Sequence, residues 1–193
     1  VIGLSASTVD TAEAPQTGLA GWVVDIVDAL GGFGVGVLVF LENLFPPIPS
    51  EVVLPLAGFA AAQGAFSLVE AVLWATAGSV LGALVLYGVG AAVGTRRLAV
   101  IADRMPLTSG ADVYRADAWF DRRGPYAVFF GRLVPGVRSL ISIPAGVTGM
   151  PLLRFTVLTT LGSALWNILL IGAGYLLGTQ WTRVEAYVGP VGT

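Results

Sequence analysis

Four ionisable side chains stand where apolar residues otherwise run on: Glu42 and Glu51 in FLENLFPPIPSEVVLPLAGF, Arg132 and Arg138 in FFGRLVPGVRSLISIPAGVTG. An ionisable group at the centre of a bilayer costs roughly 2.5–3.5 kcal/mol on insertion scales, so such residues point to function. Arginine stays charged and presents a planar fork that fits phosphate or carboxylate. Arg132 and Arg138 straddle Pro135-Gly136. A straight helix would put them on different faces; a break between them lets both point into one cavity. The half-helix after Pro135-Gly136 would add backbone N–H donors for an anion. Glu42 follows Leu41 deep in an apolar run, where desolvation favours the neutral acid unless an arginine is close, which makes it a candidate proton site. Glu51 is either a second proton site or, with Ser50, a cap on the half-helix that begins after Pro49. The four charges are equally able to pair with one another as internal clamps. Asn43 and Asn167, polar among apolar neighbours, read as helix-packing hydrogen bonds before ligands.

Composition sets the solvent for these groups. Of the 193 residues, 55% are hydrophobic and 11% charged, against about 25% charged in a soluble domain. That balance fits a bilayer, and the length fits a single domain. The chain has no Cys and no His. Disulfides and thiol chemistry are excluded, and the commonest transition-metal ligand and near-neutral proton shuttle are missing. Titration near neutrality therefore falls to a carboxylate. No metal site, cofactor or nucleic-acid partner is expected, and no nucleophile–base pair stands out, so the chain does not read as an enzyme.

The elements that must position the charges follow from periodicity and breakers. Residues 1–18 are small, polar and acidic, without the basic start of a signal peptide, and read as a flexible tail. Across residues 20–31, Trp22, Val23, Ile26, Val27 and Leu30 share one helical face opposite Asp25 and Asp28, as in a helix lying in the interface. The apolar run from Phe33 to Phe45 spans only about 20 Å as a helix, against a bilayer core of about 30 Å. Pro46, Pro47 and Pro49 stop it, and a second short run follows from Val52 to Ala62. Two half-length helices joined by a proline turn make a re-entrant hairpin, which survives at membrane depth only inside protein or beside a wet cavity. Residues 68–94 are long enough to span, with Glu70 at the entrance. Gly78-x-x-x-Gly82 and Gly90-x-x-x-Gly94 lie on this span as close-packing spacings. Residues 95–124 are polar, with a short amphipathic helix carrying Val113, Ala116, Trp119 and Phe120 on one face. Residues 125–150 repeat the broken hairpin, and 155–178 form a second span ending in Gly174-x-x-x-Gly178. Trp181 and Tyr187 in the 181–193 tail would be interface anchors.

The chain also repeats internally. Shifted by 84 residues, TAGSVLGALVLYGVGAAVGT aligns with TLGSALWNILLIGAGYLLGT at nine identities in twenty positions. Shifted by 89, Pro46 falls on Pro135, Pro55 on Pro144 and Asn43 on Arg132. The hairpin breakers are thus Pro46, Pro47, Pro49 and Pro55 in one half, and Pro135, Gly136 and Pro144 in the other. The expected fold is an all-α membrane protein: an inverted repeat (19–95 and 96–180) of amphipathic helix, re-entrant helical hairpin and transmembrane helix. Short Gly/Pro-interrupted segments in corresponding halves point to a transporter's binding site near the midplane. Residues 1–95 contain no arginine, whereas residues 95–124 contain six and Arg154 follows. The positive-inside rule places that connection in the cytoplasm.

The segments ENLFPPIPSEVVLPLAGF and GRLVPGVRSLISIPAGVTGM resemble the two motifs of the DedA family, also called SNARE-associated or VTT-domain proteins. The first shows an acidic-Asn pair, prolines, a second acid and Ala-Gly. The second shows G-R-x-x-P-x-x-R followed by A-G-x-x-x-M. The similarity covers roughly residues 33–180. The resemblance implies opposed re-entrant hairpins and proton-motive-force-dependent transport of a lipid carrier: undecaprenyl phosphate in the bacterial cytoplasmic membrane, phospholipids in eukaryotic relatives. It assigns the functional acids to Glu42 and Glu51 and the functional arginines to Arg132 and Arg138. Family members usually continue with another apolar helix after the position of Trp181, whereas this sequence stops at Thr193, so either that helix is cut off here or it is dispensable. The expectation is a flippase for an anionic lipid, with Arg132 and Arg138 on the phosphate, membrane lipid and protons as partners, and a homo-oligomer compatible with the pattern. Two other readings stay open: a proton-coupled exporter of small cations or drugs with the carboxylates as ligands, and a non-transporting scaffold.

Overall fold

The structure, a computed structural model, describes residues 19–44, 50–104 and 110–188. Pro46, Pro47 and Pro49 and the expected tail 1–18 lie outside these residues, as do the side chains of Trp22, Val23, Asp25, Val27, Asp28, Ala116, Trp181 and Tyr187.

Seven helices form. They are α1 (Leu19–Leu44), α2 (Ser50–Ala62), α3 (Leu68–Ala102), α4 (Gly110–Gly131), α5 (Val137–Leu140), α6 (Ser142–Val147) and α7 (Leu152–Val188). Stretches of α3 and α7, Leu68–Val100 and Leu152–Gln180, are long and apolar enough to cross a membrane. They pack against each other and run antiparallel. Asn167 of α7 donates to Thr76 Oγ1 of α3 at 3.2 Å, while the ring of Tyr87 lies 4.8 Å from that of Phe155. A late residue of α7 thus meets an early one of α3, and the reverse.

The shorter helices lie against this pair in two sets. The first set, α1 and α2, occupies the end where α3 begins. Gly32 abuts the Glu70 side chain, Gly36 the Trp74 carbonyl, and Gly82 the Asn43 side chain, so α1 follows α3 from its first turn to Gly82. α2 then follows α7 outward, from Pro55 beside Gly174 to Ala62 beside Gly178. The second set takes the other end. Gly162 of α7 abuts Arg132 and the Phe129 carbonyl at the end of α4. α6 follows α3 outward from Ile143 beside Gly90, and Thr95 Oγ1 donates to the Val147 carbonyl at 3.1 Å. Each set buries its own apolar cluster: Val35, Leu38, Leu54 and Ile171 in one, Phe120, Val128, Met150 and Phe155 in the other.

Glycine sets how closely these helices approach. A Cβ at Gly58 would overlap the Ile171 carbonyl, and one at Gly174 the Pro55 carbonyl; likewise Gly146 meets Tyr87 and Gly90 meets Ile143. Small residues that let backbones touch are how helices associate in lipid, where no hydrophobic force draws them together. The two sets of contacts correspond, Gly58 with Gly146 and Pro55 with Ile143, at a shift of 88 residues on the short helices. That is one residue less than the alignment of prolines suggests. The Ala-Gly step, not the proline, is the feature that sits in the same place twice.

Several local expectations are corrected. Pro55 lies inside α2 and does not break it. Pro144 lies inside α6, and the helix is interrupted at Ile141 on the turn before it, where its missing N–H leaves the Leu140 carbonyl without the bond that would join α5 to α6. Pro55 forfeits one bond in a helix held by buried Ala57, Gly58 and Ala61. The expected boundary at residue 124 also disappears, because α4 continues through Pro125 to Gly131. Trp119 is exposed while Phe120 is buried, so they do not share an inward face. Gly94 is not a packing glycine: with φ 66° and open space at its Cβ position, it kinks α3 where the expected span ends. Gly31 (φ 58°) kinks α1 in the same way, between the expected interfacial helix and the first half-helix. Finally, α7 continues as helix through residues 181–188, which read as tail in the sequence.

Candidate anion site at the helix tips

α1 ends at Leu44 and α4 at Gly131. Asn43, next to the first end, lies on Gly82, and Arg132, just past the second, lies on Gly162. Gly82 is near the middle of the stretch between Leu68 and the Gly94 kink. The two tips therefore meet halfway along the spanning pair, about 20 Å from the start of α3 at 1.5 Å per residue.

The charges expected from the sequence converge there, with one exception. Glu42, Arg132 and Arg138 are all buried. Arg138 Nη2 donates to Glu42 Oε1 and forms an ion pair with it. One residue along each tip, Ser139 Oγ donates to Asn43 Oδ1 at 3.2 Å. Asn43 in turn donates from Nδ2 to the Val39 carbonyl at 2.9 Å, which fixes its amide. Arg132 Nη2 donates to Ser142 Oγ at 2.7 Å, and its Nε has no partner. Arg132 and Arg138 lie within electrostatic reach of each other. Two guanidinium groups thus share one site in which a single carboxylate is engaged.

Glu51 stands apart. It is exposed in the first turn of α2, and among the described residues no ion pair joins it to either arginine. A carboxylate there suits the positive end of the helix dipole.

The turn between the arginines is built as the sequence suggests, but it presents different groups. Pro135 and Gly136 are exposed, and Gly136 takes φ 75°, which lets the chain reverse. The expected half-helix is instead two short pieces, α5 and α6. The N–H groups of Val137 and Arg138 are already bonded to the Val134 carbonyl, so the donors this turn leaves for an anion are side chains rather than a helix start.

The sequence reading missed Ser139 and Ser142, which hold the tips together. Their signal was present as G-R-x-x-P-x-x-R-S-x-x-S, two hydroxyls one and four residues after the second arginine. It also missed the polar face of α7, where Thr159 and Ser163 are buried one turn before and one residue after Gly162. Asn167 behaves as expected, as a cross-helix hydrogen bond to Thr76.

The VTT domain family model matches residues 48–176, two thirds of the chain. The chain belongs to the VTT-domain (DedA) family. Among the relatives of this VTT-domain protein, undecaprenyl phosphate transporter A of Staphylococcus aureus (strain NCTC 8325 / PS 47) is 35% identical over 163 residues, 82% of this chain and 80% of the relative. An alkaline phosphatase-like protein of Lactococcus lactis subsp. cremoris (strain MG1363) is 41% identical over 166 residues, 84% and 78% of the two chains. The inner membrane protein YqjA of Escherichia coli (strain K12) is 30% identical over 149 residues, 76% and 67%. No solved structure matches. The VTT-domain assignment and the two apolar helices make this a membrane protein.

Proposed function

We propose that the protein is a transporter that carries an anionic lipid, most specifically undecaprenyl phosphate, across a bacterial cytoplasmic membrane in a proton-dependent manner. One observation carries the reading: two buried arginines gathered halfway along the spanning pair with one carboxylate between the tips. Such an excess of positive charge at membrane depth is costly unless an anion shares it. The 35% identity to undecaprenyl phosphate transporter A supports phosphate as that anion.

In this account the two helix sets are halves of an inverted repeat. Their tips meet at the midplane and their glycine contacts correspond. The arginines of the 95–124 connection and Arg154 are exposed towards the end of the pair where α3 kinks at Gly94 and α7 begins, which supports placing that end in the cytoplasm. Arg138 is held by Glu42 at rest. Protonation of Glu42 removes the negative charge and releases Arg138 to join Arg132 on the phosphate. The isoprenoid tail stays in lipid while the headgroup crosses between the tips. Glu51, away from the tips, stabilises the start of α2 rather than moving protons.

The name of the Lactococcus relatives raises hydrolysis as a second reading. Phosphomonoester hydrolysis by a serine needs an activated nucleophile. Ser142 meets a guanidinium, which is a donor only, and Ser139 donates to an amide oxygen. Neither hydroxyl has a base here among the described residues, so the site is built for binding.

Purified protein in liposomes, with labelled undecaprenyl phosphate in one leaflet and an imposed pH gradient, tests the proposal. The expected result is transfer to the other leaflet, faster with the gradient and absent for undecaprenol. Equal movement of undecaprenol and its phosphate, or none of either, would contradict it.

A further inference from the structure

Three buried donors around Gly162 lack partners. Arg132 lies on Gly162, and its Nε is unpartnered. Thr159, one turn before Gly162 on α7, is fully buried with an unpartnered Oγ1. Trp166, one turn after it, has a buried, unpartnered Nε1. Positions three and four apart on a helix share a face, so Thr159, Gly162 and Trp166 line one stripe of α7. Each unsatisfied polar group in hydrocarbon costs several kcal/mol. Two within two turns of α7, beside a buried arginine that carries the third, are not accounted for by packing.

Their chemistry is one-sided. The indole N–H and the guanidinium donate and accept nothing, and a threonine hydroxyl also has a proton to give. A ligand that answers all three must bring acceptors, and beside Arg132 it should be negative. We infer that Thr159 and Trp166 complete an oxyanion-binding site with Arg132 and Ser142, so that α7 supplies the wall against which a phosphate group is held. The inference rests on the anion-transport reading and extends it. The two neutral donors add contacts that a second arginine could not, because they hold the phosphate without adding charge that must be buried when the site is empty. Arg138, engaged with Glu42 at rest, is then the arginine that arrives, and Arg132 with its α7 partners is the one that waits.

The test uses the full-length chain purified in detergent, with its thermal midpoint followed against undecaprenyl phosphate, undecaprenol and inorganic phosphate. Three variants join the wild type: Trp166→Phe, which keeps an aromatic ring, smaller than the indole, and removes the N–H; Thr159→Val, which keeps the shape and removes the hydroxyl; and Arg132→Ala. For the wild type we expect stabilisation by the phosphate lipid and none by undecaprenol. A shift with inorganic phosphate as well would show that the headgroup alone suffices; a shift with the lipid only would show that the tail is needed. Thr159→Val should leave the ligand-free midpoint unchanged or raised, since it removes an unsatisfied donor, whereas Trp166→Phe trades a removed donor against lost packing on the Val35–Ile171 cluster, so its affinity is read against its own ligand-free midpoint. Each should weaken apparent affinity roughly tenfold, the size of one hydrogen bond to a charged group. If both variants keep wild-type affinity while Arg132→Ala loses it, the two donors serve bound water or packing and the inference is overturned, with the transport reading intact. If the wild type shows no phosphate-dependent shift at all, both fall together.

Discussion

Arg138→Ala is expected to stop undecaprenyl phosphate transfer in liposomes, with a fall of roughly 100-fold or more. The substitution removes a buried cation that pairs with Glu42 and leaves that carboxylate without its arginine at membrane depth. Breaking a buried pair from one side costs about 3–5 kcal/mol, so the variant is also expected to be less stable. Stability and transport are separated by the double variant Glu42→Gln with Arg138→Gln. Two amides can hydrogen-bond across the tips without charge, so the midpoint of thermal unfolding should recover most of the loss. Transport should not recover, because neither the proposed proton site nor the proposed second phosphate ligand is restored. A double variant that moves the lipid at the wild-type rate would show that the pair is only a clamp. The scaffold reading would then account for the charges better than the transporter reading does.

The second large effect is on assembly. Gly58→Val and Gly146→Val each place a branched side chain against a backbone carbonyl, of Ile171 and Tyr87 respectively. Backbone cannot rotate away as a side chain can, so the short helix must lift off the spanning one. The expected cost is roughly 3 kcal/mol or more, read as loss of monodisperse protein on size-exclusion chromatography and rapid proteolysis in the membrane. Gly88→Val and Gly172→Val are the matched comparison. These two glycines also correspond in the repeated spans, but nothing lies within 4 Å of their Cβ positions. They should tolerate the change with little effect on yield. Equal behaviour of all four variants would mean that the glycine contacts do not hold the two helix sets in place.

The spans were legible because length and hydropathy are one-dimensional. A run of apolar residues beginning near Leu68 and stopping near Gly94 says how far the chain can reach, and the kink at Gly94 falls where the run was read to end. The charged tips were legible for the opposite reason: Glu42, Arg132 and Arg138 interrupt apolar sequence, and all three are buried together. Rotation and register were not legible. Whether Glu51 reaches the tips depends on where along α7 the second helix starts, and α2 lies with Pro55 beside Gly174 and Gly58 beside Ile171, leaving Glu51 exposed in its first turn. The corresponding positions were misplaced by one residue because prolines are conspicuous in sequence, whereas the close approach is made by the glycine that follows. The pairing of Asn43 with Ser139 was invisible, since two unremarkable polar residues 96 apart carry no mutual signal until the tips are placed. Continuity of α4 through Pro125 was missed because proline reads as a stop, yet α4 carries the lost hydrogen bond and the clash with the preceding turn, held on either side of the proline by buried Phe120 and Val128.

The headgroup's location is the most direct measure of the whole account. A structure of the protein in lipid nanodiscs loaded with undecaprenyl phosphate should show phosphate density between the two tips, within hydrogen-bond reach of Arg132 and level with Gly82 and Gly162. Phosphate density only at the membrane surface, beside the exposed arginines of the 95–124 connection with the tips unoccupied, would contradict it.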